Sequence, residues 1–286
     1  MIPNYDYVGD ACCRHLSVLY GKRFDNHGSI EGAGVFHLPT FNQFGLMSLP
    51  SLPQNSHEPR ADFPVPLDLG EARRLLPLWF GQGQPPLLLK FNAACKFYLR
   101  ALQVAERDPE VAYLHLISSG EILADSVERP KDVLLDDEIK GVLARIEAEM
   151  CGGRKLARML RGRMRQLKRG FIHALSGLVD QDFFCRGEAK HDYGRLKADS
   201  FAKALGAAYD LRSRYVHTGT PFSIWVRPDA GNDEVQSGRP ITGDEELSDI
   251  LAAAPTYIGL ERVVRYCLLR FAATNFGLDV TSPVQQ

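Results

Sequence analysis

Along most of the chain after Glu71, apolar residues recur at intervals of three and four, the spacing of helices that bury one face. The pattern predicts helices over 71–80, 86–107, 110–127, 136–150, 154–179, 200–217 and 244–276. Breaks rich in glycine and proline separate them at 81–85, 151–153 and 228–233. In the second half of the last stretch Leu260, Val263, Val264, Cys267, Leu268 and Phe271 leave almost no polar face. Such a helix belongs in the centre of a bundle or at a dimer seam. Before residue 70 the periodicity fails, and the short apolar clusters at 16–20 and 34–38 predict a few strands joined by turns. The 49–59 stretch is too rich in proline for regular structure and reads as a loop or linker. The expected fold is therefore mainly α, with residues 1–85 a small β-containing N-terminal region and 86–286 a helical domain.

Chemistry concentrates near the end of the 200–217 helix, where Arg212-Ser213-Arg214-Tyr215-Val216-His217 is followed by Thr218 and Gly219. Phe201, Leu205, Ala208, Leu211 and Tyr215 form its buried face, Gly219 suits the left-handed residue just past a helix, and Pro221 prevents continuation. A permanently charged guanidinium close to an imidazole that exchanges protons near neutral pH is equipment for phosphate chemistry without metal. Five residues turn an ideal helix through about 500°, so Arg212 and His217 would point roughly 140° apart. Either the helix loosens before His217 or a second copy of the chain completes the geometry. Ser213 and His217, four apart, share a face, so the hydroxyl has the position to orient the ring.

A second polar residue interrupts an apolar face. Glu121 falls among Leu114, Ile117 and Ala124, on the side expected to be buried. A carboxylate there needs a cation or several donors, and Arg212 is the natural candidate, although any of the chain's arginines would serve. The pair reads either as an ion bridge between two helices or as the device that orients an active arginine.

These residues resemble a known family. Arg212 to His217 is similar to the R-x4-6-H signature of HEPN domains, and Tyr209 to Gly219 is similar to the Tyr-x-x-Arg-Ser-x-x-x-His-x-Gly arrangement of the ApeA-like HEPN subtype. Residues 112–123, with Glu121 just before the last apolar turn, resemble the first long helix of that group. The resemblance spans roughly 87–276 and implies a HEPN-like helical bundle acting as a cofactor-free, metal-independent endoribonuclease. It further implies a two-fold homodimer in which the 2′-hydroxyl of RNA attacks the adjacent phosphate. His217 would then handle the proton and Arg212 the developing charge, with Ser213 orienting the imidazole and Tyr215 or Arg214 holding the scissile nucleotide. Antiviral defence or a toxin setting, with an antitoxin or defence partner protein, goes with that reading. The alternative is a non-catalytic HEPN-like dimerisation or adaptor module that binds nucleic acid or a protein.

A net charge of −1 excludes a uniformly basic nucleic-acid binder, so RNA binding would need a local patch. The 154–169 stretch supplies eight positive side chains and no acid, and Arg154, Arg158, Arg161, Arg165 and Lys168 form one stripe at intervals of four and three. Leu156, Leu160, Met164, Leu167, Phe171 and Leu175 lie opposite, as on a helix docked by its apolar side. RNA would track the stripe, although it also suits a merely solvated face or one paired with Asp136, Asp137 and Glu138. The six cysteines have no Cys-x-x-Cys spacing, and Cys12 and Cys13 with His15 match no common zinc pattern, so reduced thiols and no metal are expected. No phosphate-loop motif is present. The start of the sequence lacks a secretory pattern and no apolar run reaches the about 18 residues of a membrane span, so the expected location is the cytoplasm.

Overall fold

The computed structural model describes residues 6–28, 31–32, 34–36, 49, 51–81, 85–127, 137–163, 167–228 and 233–280, and these are mainly α-helical. Helix α1 is Asp6–Tyr20, and a 3-10 turn at Leu69–Leu75 leads into α2, Leu76–Phe80. The bundle continues with α3 (Pro85–Val104), α4 (Pro109–Ala124), α5 (Asp137–Glu149), α6 (Gly153–Arg163) and α7 (Leu167–Leu178). It ends with α8 (Gln181–Cys185), α9 (Phe201–Thr218), α10 (Ser223–Val226), α11 (Glu245–Ala253) and α12 (Tyr257–Phe276). A hairpin of β1 (Glu31–Gly32) and β2 (Val35–Phe36) provides the named strands among the described residues. No described helix is long and apolar enough to cross a membrane.

Two stretches depart from the pattern. The 16–20 segment, expected as strand, completes α1 because Val18, Leu19 and Tyr20 are all buried, and a fully buried apolar run carries no period to distinguish the two. The 154–179 stretch is helical as expected in α6 and through Leu178 in α7, and 164–166 lie outside the described residues. The 244–276 stretch is divided at Pro255, where Ala254 and Thr256 are extended and Thr256 caps α12 by accepting from the Gly259 amide.

Helix α12 is the axle. Every residue from Tyr257 through Leu269 is buried, and α1, α2, α3, α4 and α7 pack on it. Val18, Leu52 and Val65 from the first part of the chain are buried as well, and Val18 and Val65 belong to the same apolar core as α12. Helices α5 and α6 pack on each other over a small separate cluster around Leu143 and Ala157.

Charges run through this core. Arg60, Arg262 and Arg265 face Asp62, Glu188, Glu234 and Glu261, and Lys22 lies alongside, so four cations meet four carboxylates. Arg60 holds Glu188 at 2.6 and 2.7 Å and Glu261 at 2.9 and 2.5 Å. Arg265 bonds Asp62 at 3.0 Å and donates to the carbonyls of Val18 (3.0 Å) and Leu19 (2.7 Å), while Arg60 donates to Gly21 at 3.1 Å. These are carbonyls at the end of α1 that no further turn of helix would satisfy, and buried guanidinium groups take them instead. Gly21 has φ 64°, and a Cβ there would lie 2.6 Å from Arg265 Nε and 2.7 Å from Arg60, so only glycine fits this corner.

Burial alone would raise the Glu188 carboxyl, but the Arg60 guanidinium outweighs it and holds the group at about 2, below its ordinary 4.5. The unfolded chain therefore binds a proton that the folded one refuses between those values. This contribution to stability is complete above pH 4.5 and disappears as pH falls toward 2. Thermal midpoints measured across that range are expected to decline, and more shallowly in Glu188→Gln, which cannot titrate.

Candidate functional site

Helix α9 is continuous and α-helical from Phe201 to Thr218, and Gly219 closes it with φ 69° and its amide bonded to the Tyr215 carbonyl, as the sequence implies. The helix does not loosen before His217. Arg212 and His217 of one chain therefore stay roughly 140° apart around the axis.

Arg212 meets Glu121 of α4, as expected, at 3.6 Å. Tyr209, one turn back, donates to Glu121 at 2.8 Å, and the Arg212 guanidinium lies 5.7 Å from the Tyr209 ring centroid. Burial, then the hydrogen bond and charge of Glu121, push the Tyr209 phenol up to about 12, which keeps it a donor. The ion pair is loose: among the described residues no acceptor takes a hydrogen bond from Arg212, unlike Arg60 with its close carboxylate bonds. Its forked donors remain available to an anion. Arg212 and Glu121 line an open groove of about 610 Å³ bounded by α3, α4, α7 and α9. Leu89 and Leu167 are exposed there, and a pair between Lys90 and Asp125 at 2.7 Å lies along the same wall.

The other residues of the motif divide. His217 is exposed on the last turn of α9, next to exposed Val216, and Ile224 of α10 is exposed as well. Ser213 makes no hydrogen bond to His217 within the described residues, so the expected orienting contact is not formed in the single chain. Arg214 is committed elsewhere: it bonds Asp244 closely and Glu246 at 3.0 Å, at the start of α11. It therefore ties two helices and is not presented to a nucleotide. Tyr215 packs edge-on against Phe222, with ring centroids 5.7 Å apart, at the margin of the core. Its ring is a packing surface, not a free platform.

The basic stripe is also reduced. Arg154 and Arg158 are exposed on α6. Arg165 and the side chain of Arg161 lie outside the described residues. Lys168 bonds both carboxylate oxygens of Asp210 on α9, at 2.7 and 2.6 Å, which neutralises it. The pattern of charges along 154–169 gives no sign of Asp210, 42 positions away.

Tyr209 was visible as part of the quoted motif, and its place three residues before Arg212 signals their shared face. The groove wall from α3 had no signal, because Leu89 and Lys90 read as ordinary positions of an amphipathic helix. His15 is held between Trp79, which donates to Nδ1 at 2.9 Å, and Asn92 at 2.7 Å, and burial lowers its basicity. It is a neutral link between helices. No protein-family model, curated protein or solved structure matches the chain.

Proposed function

We propose that the chain is a HEPN-type, metal-independent endoribonuclease that works as a two-fold dimer, in a defence or toxin–antitoxin setting. The observation that carries this reading is the loosely paired Arg212, positioned by Glu121 and Tyr209 at an open groove, on the same rigid helix as exposed His217. Because α9 keeps the two side chains apart in one chain, the arginine and histidine acting on one phosphate come from different copies. In the reaction the 2′-oxygen forms a bond to phosphorus and the bond from phosphorus to the 5′-oxygen breaks. A His217 imidazole takes the 2′-hydroxyl proton, and a proton returns to the departing 5′-oxygen. Arg212 stabilises the charge that builds on the phosphoryl oxygens. Arg154 and Arg158 guide the strand, with affinity that falls as salt rises.

The test is to incubate purified protein with mixed single-stranded RNA beside the His217→Ala variant. The expected result is cleavage by the wild type alone, leaving 2′,3′-cyclic phosphate and 5′-hydroxyl ends, and none at a linkage whose 2′-hydroxyl is replaced by hydrogen. Equal cleavage of all-deoxy strands would defeat the mechanism. The neutralisation of Lys168 and Arg214 favours a second reading, a non-catalytic adaptor module in which the same surfaces bind a partner. Wild type and His217→Ala that are equally inert toward RNA would support it.

A further inference from the structure

A cavity of about 1100 Å³, so far without a role, is formed by α1, the loop after it, the 54–56 turn, the 67–69 segment and α3. Its walls are cationic. Lys96 and Arg100 follow one face of α3 and Arg107 continues it at intervals of four and seven, with Arg14 opposite on α1. None of these four is in an ion pair among the described residues; Arg14 donates to the Asp10 carbonyl and Arg100 to Gln103, each at 3.0 Å. The acids of the cavity are already engaged: Asp25 by Arg23 (2.8 Å) and Gln103 (2.8 Å), Asp10 by Asn26 (3.0 Å), Asp68 by the Gly70 amide (2.6 Å). Asp10 and Asp68 keep their charge under neutral donors, but Arg14, Lys96, Arg100 and Arg107 outnumber them, so the net field is positive and calls for an anion.

A second observation is independent of charge. Gln54 lines this cavity, is only 2% exposed, and among the described residues has no hydrogen-bond partner on either its amide nitrogen or its oxygen. Buried polar atoms are as a rule hydrogen-bonded, so an unpaired carboxamide at a cavity wall points to a ligand. The turn that carries Gln54 is firmly held. Lys22 donates to the carbonyls of Pro53 (2.5 Å) and Glu58 (2.7 Å), Arg23 N–H bonds the Gln54 carbonyl (3.1 Å), and Asn55 donates to Glu106 (2.7 Å). A carboxamide presents one donor and one acceptor side by side, which complements the edge of a nucleobase. Phe24 and the exposed Leu67 and Leu69 add apolar surface for a flat ring in the same cavity.

We infer that this cavity binds a nucleoside phosphate, with the free cations of α1 and α3 meeting the phosphate and Gln54 reading the base. The site is separate from the Arg212 groove and does not depend on the ribonuclease reading.

The experiment is calorimetric titration of the full chain with the four ribonucleoside 5′-monophosphates, their nucleosides, ribose 5-phosphate, inorganic phosphate and a short single-stranded oligoribonucleotide. At least one monophosphate is expected to bind more tightly than its nucleoside and than inorganic phosphate. Arg100→Glu, at an exposed position, should weaken it about tenfold or more. Gln54→Leu, which keeps the side-chain volume, should reduce its affinity to that of ribose 5-phosphate. The inference is overturned if no monophosphate binds, if inorganic phosphate binds as well as the best of them, if only the oligoribonucleotide binds, or if Arg100→Glu leaves binding unchanged. Melting curves of both variants beside wild type show that the fold is retained; should Gln54→Leu not fold, Arg100→Glu alone decides.

Discussion

Arg60→Ala is expected to destabilise the protein by about 3–5 kcal/mol, the range for breaking one side of a buried ion pair. The side chain is 1% exposed and touches two carboxylates and a carbonyl, so its removal leaves Glu188 and Glu261 buried and facing each other without their shared cation. Tyr98, which donates closely to Glu261, cannot neutralise a charge. Arg60→Met, which keeps most of the volume, should lose nearly as much, because the orphaned carboxylates and not the missing methylenes dominate the cost. Arg239 is the contrasting case. It bonds Asp249 and Glu245 in solvent, and Arg239→Ala should leave the urea midpoint almost unmoved. If Arg60→Ala unfolded at the wild-type midpoint, the buried network would be ornamental.

The second large effect is on cleavage. On the proposed mechanism Arg212→Ala and His217→Ala are each expected to lower the rate about 100-fold or more, since one would remove the stabilisation of phosphoryl charge and the other the proton acceptor. Co-expressed so that mixed dimers form, the two dead variants should regain cleavage that neither shows alone. The continuous α9 is the reason, because it keeps the two groups of a single chain apart while a neighbour can supply whichever is missing. Mixed dimers that remain inactive, while wild type cuts and both variants still dimerise, would place arginine and histidine in one chain or out of the reaction. The outcome is read from gel-resolved RNA fragments together with the sedimentation of each mixture.

What could be read in advance follows from how far apart the interacting residues are. Helices α4 and α9 were legible because their apolar faces repeat locally, and Gly219 with Pro221 marked the end of α9. The pairing of Glu121 with Arg212 was inferable, since a carboxylate on an apolar face demands a cation. Helix α12 looked central from its apolar side chains, yet Glu261, Arg262 and Arg265 sit among them and gave no hint of burial. Their charged partners are 28 to 203 positions away in sequence, beyond any local pattern. The same holds for Arg214 and Lys168, whose charges looked free until Asp244 and Asp210 were placed beside them. Gln54 was hidden for a different reason. A glutamine in a proline-rich stretch reads as solvated loop, and only the depth of the turn, with Leu52 fully buried beneath it, shows otherwise.

The bonds from Arg265 to the end of α1 span 246 and 247 positions of sequence. In the order of synthesis α1 precedes α12, and its last carbonyls wait for that helix. Closure of loops that long has to precede the contacts that reward it, which slows folding relative to a bundle held by local contacts. Until α12 arrives, Asp62 and Glu234 lack their arginines, and the early segments keep unpaired charge and apolar surface in the open.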